Sequence, residues 1–140
     1  MATVQFFFHN TAPFLRERKK LKRFIEGIFK KEKTSLSSLS YIFCSDEYLL
    51  KINKEFLKHD YYTDIITFNL SLAKDKVEGE IYVSYDRVKD NARREAVSFQ
   101  EELHRVIFHG ALHLCGYKDK SKSQIAAMRN KEAEYLKAYL

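Results

Sequence analysis

Apolar and polar residues follow two periods along this chain, and the switches between them mark out its elements. Thr3 to Phe8, rich in Val and Phe, reads as a strand, and Asn10-Thr11-Ala12-Pro13 supplies a turn and a helix start. The helix predicted next runs from about Phe14 to Lys33, with Phe14, Leu21, Phe24, Ile25 and Ile28 on one side. Ser40 to Cys44 is a second strand. A helix from about Asp46 to Phe56 follows Ser45, a good capping residue, and Tyr48, Leu49, Ile52 and Phe56 form its apolar stripe. This β-α-β opening implies parallel pairing with the helix over one face. Asp64 to Leu70 and Glu80 to Val83 are the next strands, and the polar stretch between them, Ser71 to Gly79, is short enough for an antiparallel return. Tyr85 to Glu95 reads as a helix. Val97 to Cys115 reads as a longer one, N-capped by Ser98, in which Phe99, Leu103, Val106, Ile107, Ala111 and Leu114 recur at steps of three and four. Ser121 to Tyr139 closes the chain as an amphipathic helix using Ile125, Met128, Ala133 and Leu136.

A length of 140 residues suits one domain, residues 1–140, with a modest core. Hydrophobic residues make up 45% and there is one Pro, which excludes a disordered chain. The net charge of +6 favours anionic partners such as nucleic acid. Two cysteines, Cys44 and Cys115, cannot build a disulfide framework, and both read as small buried hydrophobes. No apolar run reaches membrane-spanning length, and Met1 to His9 lacks the features of a signal peptide, so a cytoplasmic placement is expected. Arg16, Arg18, Lys19, Lys20, Lys22 and Arg23 spread around the first helix. They read as a solvated face ahead of an RNA-facing one, because no aromatic stacking platform accompanies them.

The chemistry concentrates between Phe108 and Asp119, where the residues read H-G-x-x-H-x-x-G-x-x-D. His109 and His113 lie one helical turn apart on the same face, with side chains about 5–6 Å apart, close enough to share one metal ion. Gly116 can end the helix and reverse the chain, and that turn could bring Asp119 back as a third ligand. Two imidazoles and a carboxylate with one position open suit catalytic zinc, and nickel or iron is chemically acceptable. The spacing is that of the metzincin peptidases, except that Gly110 replaces their glutamate base and Asp119 their third histidine. Without that base, peptide or amide hydrolysis is the weakest reading. Gly110 and Gly116 are read as structural, turn-forming glycines. His104 is placed on the surface or behind the ligands.

These residues resemble the YbeY family of metal-dependent endoribonucleases and ribosomal RNA maturation factors. The metal stretch is similar to the family's H-G-x-L-H-L-x-G-Y followed by an acid or histidine. Asn53 to Phe68 resembles N-x-x-Y-R-x-x-D-x-x-T-D-V-L-S-F, and Gly79-Glu80-Ile81 resembles G-D-I. The resemblance runs from about Ile42 to Asp119. It implies an α+β fold around a four-stranded mixed sheet, three strands parallel and one antiparallel, with a zincin-like metal helix against it. It also implies cleavage of single-stranded RNA in small-subunit ribosomal RNA maturation and ribosome quality control, with one zinc per chain and ribosomal proteins among the partners. The departures that bear on chemistry are Asp119 in place of the usual third histidine, Leu57 in place of the arginine, and His59 in place of a common lysine. Lys54, Lys58 and Arg105 are the cations named for RNA contact. Thr63 and Asp64 are assigned to the loop and the strand start. The proton acceptor stays open between metal-bound water, His59 and a substrate oxygen. A non-enzymatic ribosome-assembly factor with a structural metal is the rival reading, strengthened by Leu57.

Overall fold

The computed structural model describes residues 3–11, 13–72 and 75–140. Its elements run β1 (Thr3–Phe8), α1 (Arg18–Lys31), β2 (Leu36–Cys44), α2 (Asp46–Leu57), β3 (Ile65–Asn69), β4 (Val77–Ser84), α3 (Tyr85–Arg94), α4 (Phe99–Leu114) and α5 (Lys122–Tyr139). The expected turn at Asn10–Pro13 includes residue 12, and the expected return over 71–79 includes residues 73 and 74. Those three lie outside the described residues.

The strands form one sheet in the order β1-β2-β4-β3. β1, β2 and β4 are parallel, and β3 runs antiparallel to β4, as expected. Side chains alternate across a strand, so the sheet has two apolar faces. Leu39, Tyr41, Phe43, Ile81 and Val83 point into a large core with α1, α4 and α5. Cys44 and Ile66 point the other way, onto Leu49 and Ile52 of α2. Tyr41 ties the large core to α4, its buried hydroxyl donating to the Ile107 carbonyl at 2.8 Å. Removing a fully buried ring such as Phe43 would cost about 3–5 kcal/mol.

Four expectations need correction. α1 begins at Arg18 rather than near Phe14, because Glu17 takes a left-handed conformation (φ 49°). Phe14 packs instead against Phe8, Phe43, Tyr85 and Phe99, so the segment docks as an aromatic plug. β2 and β4 extend further back than their apolar runs, since pairing from Leu36↔Val77 onward carries polar residues as well. Phe56 is 62% exposed, and Asn53 takes its place on the buried side of α2. In α5 the buried face is Met128, Glu132, Tyr135 and Tyr139, with Leu136 partly buried beside it; of the expected stripe, Ile125 and Ala133 are exposed instead. Among the described residues, no helix is long and apolar enough to cross a membrane.

Candidate metal centre

α4 carries two of the three ligand candidates, and its own packing decides how they face. Ser98 caps its N-terminus by accepting from the Glu101 amide at 3.0 Å. Gly110 sits in the interior of α4 rather than in a turn. A Cβ there would lie 2.8 Å from Ile81 Cδ1 and 3.0 Å from Ile81 Cγ2, so this side of the helix rests directly on the sheet. Seating Gly110 on β4 turns His109 and His113 away from the core and into a cleft.

The end of α4 aims the third group. The Tyr117 amide donates to the Leu112 carbonyl (3.1 Å) and the Gly116 amide to the His113 carbonyl (3.0 Å), the paired bonds of a Schellman end. Gly116 at φ +105° supplies the backbone reversal. Five residues after Gly116, Ser121 and Gln124 form a capping box that starts α5. Between these pinned ends the Tyr117 hydroxyl donates to Glu32 at 2.8 Å. The short connector therefore returns Asp119 to the two histidines.

Asp119 Oδ2 lies 3.4 Å from His109 Nε2 and 3.3 Å from His113 Nε2. One ligand atom from each of the three residues falls within 4.8 Å of the others. Tetrahedral zinc with bonds of about 2.0–2.1 Å separates its ligands by about 3.3–3.4 Å, so two edges of the triangle already have the length the ion requires. Two imidazoles and one carboxylate are a sound donor set for it, and nickel and iron share that preference.

Sequence reasoning missed the residue behind His109. Glu132 is only 2% exposed, and His109 Nδ1 lies 2.5 Å from its Oε2. An ionised carboxylate only accepts, so Nδ1 carries the proton and Nε2 keeps its lone pair free for a ligand position. Arg105 holds the same carboxylate, donating from Nη1 to Glu132 Oε1 at 2.9 Å, and it also grips Glu102 through Nε and Nη2. Burial alone would push the Glu132 pKa up. The hydrogen bond from His109 and the nearby Arg105 charge outweigh it and hold the carboxyl below its ordinary value. Burial likewise works against the Arg105 charge, but Glu102 and Glu132 raise its pKa above the ordinary value. The signal was present: read at steps of four, three and four, Met128, Glu132, Tyr135 and Tyr139 line one side of α5.

The triad opens into a cleft of about 570 Å³, whose walls include Asn53, Leu57, His59, Tyr61 and Asp64. Arg105 also lines it, but as a partly buried anchor of carboxylates rather than a free cation. Lys54 and Lys58 are not among its lining residues, and Lys54 pairs with Asp60 at 3.3 Å. Thr63 donates to the Ile65 carbonyl within the loop, and the Asp64 carboxylate accepts from Asn91 of α3 rather than from a backbone donor; both line the cleft. His104 is buried rather than on the surface, stacked on Tyr139 with its Nδ1 2.6 Å from the Gln100 carbonyl oxygen. Burial pushes the Cys44 thiol up to about 12 and the Cys115 thiol up to about 11, so both stay protonated and inert near neutral pH.

A family model described as Endoribonuclease YbeY matches residues 9–140. The chain belongs to the YbeY family. A relative from Cytophaga hutchinsonii named Endoribonuclease YbeY is 54% identical over 130 residues, covering 93% of this chain and 91% of its own. One of the same name from Porphyromonas gingivalis is 46% identical over 136 residues, covering 97% and 89%. The solution structure of a Thermotoga maritima protein shares the fold with a TM-score of 0.61 and 29% identity, covering 99% of this chain and 89% of that one. Within the YbeY pattern, Leu57 puts an apolar side chain on the cleft wall where the arginine is expected. Asp119 sits in the third ligand position.

Proposed function

We propose that this chain is a zinc-dependent endoribonuclease that cuts single-stranded RNA during maturation of small-subunit ribosomal RNA in the cytoplasm. The observation that carries this reading is the convergence of His109, His113 and Asp119 at the mouth of one cleft, with His109 locked by Glu132. Family membership and relatives named as endoribonucleases support it. The positive net charge of the chain suits a polyanionic substrate.

His109, His113 and Asp119 would hold the ion. Zinc, or nickel or iron in its place, would supply Lewis-acid polarisation of a phosphodiester and activation of water. The protein's own residues do the rest. Glu132 and Arg105 fix the His109 tautomer and ring, and the half-exposed Asp119 leaves one side of the centre open to substrate. A flexible single strand can bend its backbone into such a cleft, whereas a duplex presents its phosphates on a stiff surface. Peptide hydrolysis loses ground because Gly110 faces Ile81 and Ile65, so no carboxylate base can enter from that position. His59 reaches the cleft wall and is the candidate for moving a proton. Small-subunit ribosomal proteins are the natural neighbours of such a substrate.

The test is cleavage of precursor small-subunit ribosomal RNA by zinc-loaded protein beside a folded His113→Ala variant. The parent should cut, and the variant should lose at least about 100-fold in rate while its RNA affinity stays nearly intact. Equal cleavage by both would remove the metal centre from the chemistry. Binding without cleavage by the parent would turn the assignment to a ribosome-assembly factor with a structural metal.

A further inference from the structure

The cleft wall across α2 and the loop after it carries an aromatic pair with no role in holding the metal ligands. Tyr61 is 56% exposed, and its ring stacks on the His59 imidazole with centroids 5.1 Å apart and planes 19° apart. Its hydroxyl lies 2.9 Å from His59 Nδ1, which keeps the two rings in register. Both residues line the same cleft as His109, His113 and Asp119.

The pair is held from below by a buried residue. Asn53, 1% exposed, donates from Nδ2 to the Tyr61 carbonyl at 2.9 Å, and its backbone carbonyl accepts from the His59 amide at 3.2 Å. Lys58 takes a left-handed conformation (φ 58°) that turns the chain back over Asn53. One buried residue, through its side-chain amide and its backbone carbonyl, thus fixes both ends of the segment that displays the rings. The neighbouring Tyr62 shows the contrast. Its hydroxyl is bound to Glu47 and Arg87 sits over its ring at 5.2 Å, so that tyrosine is occupied in fixing α2 to α3.

We infer that Tyr61 and His59 form a nucleobase-stacking subsite, which receives an unpaired base of the RNA strand whose phosphate lies at the metal centre. This rests on the endoribonuclease reading above and deepens it by naming how the strand is gripped. An exposed, prestacked aromatic pair adds a third ring at little ordering cost, and every base offers a π-face, so the subsite is tolerant of sequence. Bases locked in a duplex cannot enter it, which gives the cleft a preference for single strands. It also suits a cleft whose wall holds Leu57 in place of a phosphate-gripping cation, since affinity then comes from stacking as much as from charge.

The test uses metal-free full-length protein and a short single-stranded RNA carrying 2-aminopurine, whose fluorescence is quenched on stacking. Tyr61→Ala should weaken binding by about 5- to 100-fold and abolish the quenching, whereas Tyr61→Phe should retain both. The slope of log affinity against log salt should stay unchanged in Tyr61→Ala, because no phosphate contact is lost. A second arm needs no variant: the parent should bind an RNA with abasic sites correspondingly more weakly. Equal affinity of the parent for abasic and complete RNA, or binding by folded Tyr61→Ala within twofold of the parent with quenching retained, would overturn the subsite. A parent that binds RNA here and cleaves it when zinc-loaded, while failing these arms, refutes this inference alone; a parent that neither binds RNA nor cleaves it with zinc refutes the nuclease reading beneath it.

Discussion

The two halves of the metal centre are built in opposite ways. On the α4–α5 side, His109 is 14% exposed and rests on a carboxylate that is itself buried and held by Arg105. On the connector side, Asp119 is 40% exposed and belongs to a seven-residue link, 115–121, fixed at its ends, at Tyr117 and at the Lys120 amide. One half is set by the core and exists before any ion arrives. The other is set by turn geometry and can adjust to the ion and to substrate. A catalytic centre benefits from both, because a rigid ligand fixes the position of the charge while an adaptable one leaves room for the reacting groups.

The contrast can be broken most severely at Glu132. Glu132→Ala removes the acceptor for His109 Nδ1 and one of the two carboxylates of Arg105, and should cost about 3 kcal/mol in the metal-free protein. Zinc affinity should fall by about 10- to 100-fold. Urea denaturation and competition with a chromogenic chelator would measure the two losses. A stability change below about 1 kcal/mol would mean that this half is not set by the core.

Tyr117→Phe probes the tether of the other half and should cost about 1 kcal/mol, since Glu32 keeps its bond from Tyr135. It also carries a pH signature. Burial pushes the Glu32 carboxyl up, but hydrogen bonds from Tyr135 and Tyr117 and the Lys131 charge outweigh that and hold it below the ordinary 4.5. Its contribution is therefore complete above pH 4.5 and is lost as pH falls through the depressed folded value. Denaturation curves of parent and Tyr117→Phe should converge in acid and differ most near neutrality. A constant difference across that range would dissociate the tether from Glu32.

The smallest effect on the metal-free fold belongs to Asp119→Ala, within about 0.5 kcal/mol, because this exposed carboxylate packs against little. Zinc affinity should nevertheless fall, and the pairing of an unmoved melting point with weaker metal binding would mark Asp119 as a ligand held by the connector alone. A fall in metal-free stability as large as that of Glu132→Ala would erase the distinction between the halves.

The connector half was also the one most legible in the chain. His109, His113, Gly116 and Asp119 are close in sequence, so helix periodicity and one glycine turn suffice to bring them together. The succession of strands and helices was legible as sharp changes of period, whereas the mixed four-stranded arrangement was what the family resemblance implied. Glu132 was not, because recognising it requires the register of α5 against α4, and the apolar stripe of α5 is built from Tyr as well as Met. Ile125 and Ala133, both exposed, pointed to another side. Asn53 was hidden likewise, since its amide satisfies the Tyr61 carbonyl in a loop whose path no local pattern announces. Gly110 was misread as a turn former because only the sheet beneath it explains the missing side chain.

The pinned ends of the connector also set how this part of the chain can change its length. Surface links usually accept insertions and deletions. Here the Schellman end fixes where the chain leaves α4, the capping box fixes where α5 begins, and Glu132 must then meet His109 from a helix that turns about 100° per residue. One residue added or removed between Ser121 and Glu132 would swing that carboxylate off the imidazole while leaving every ligand in place. The stretch from Leu112 to Glu132 therefore behaves as a ruler, whose number of residues matters as much as their identity.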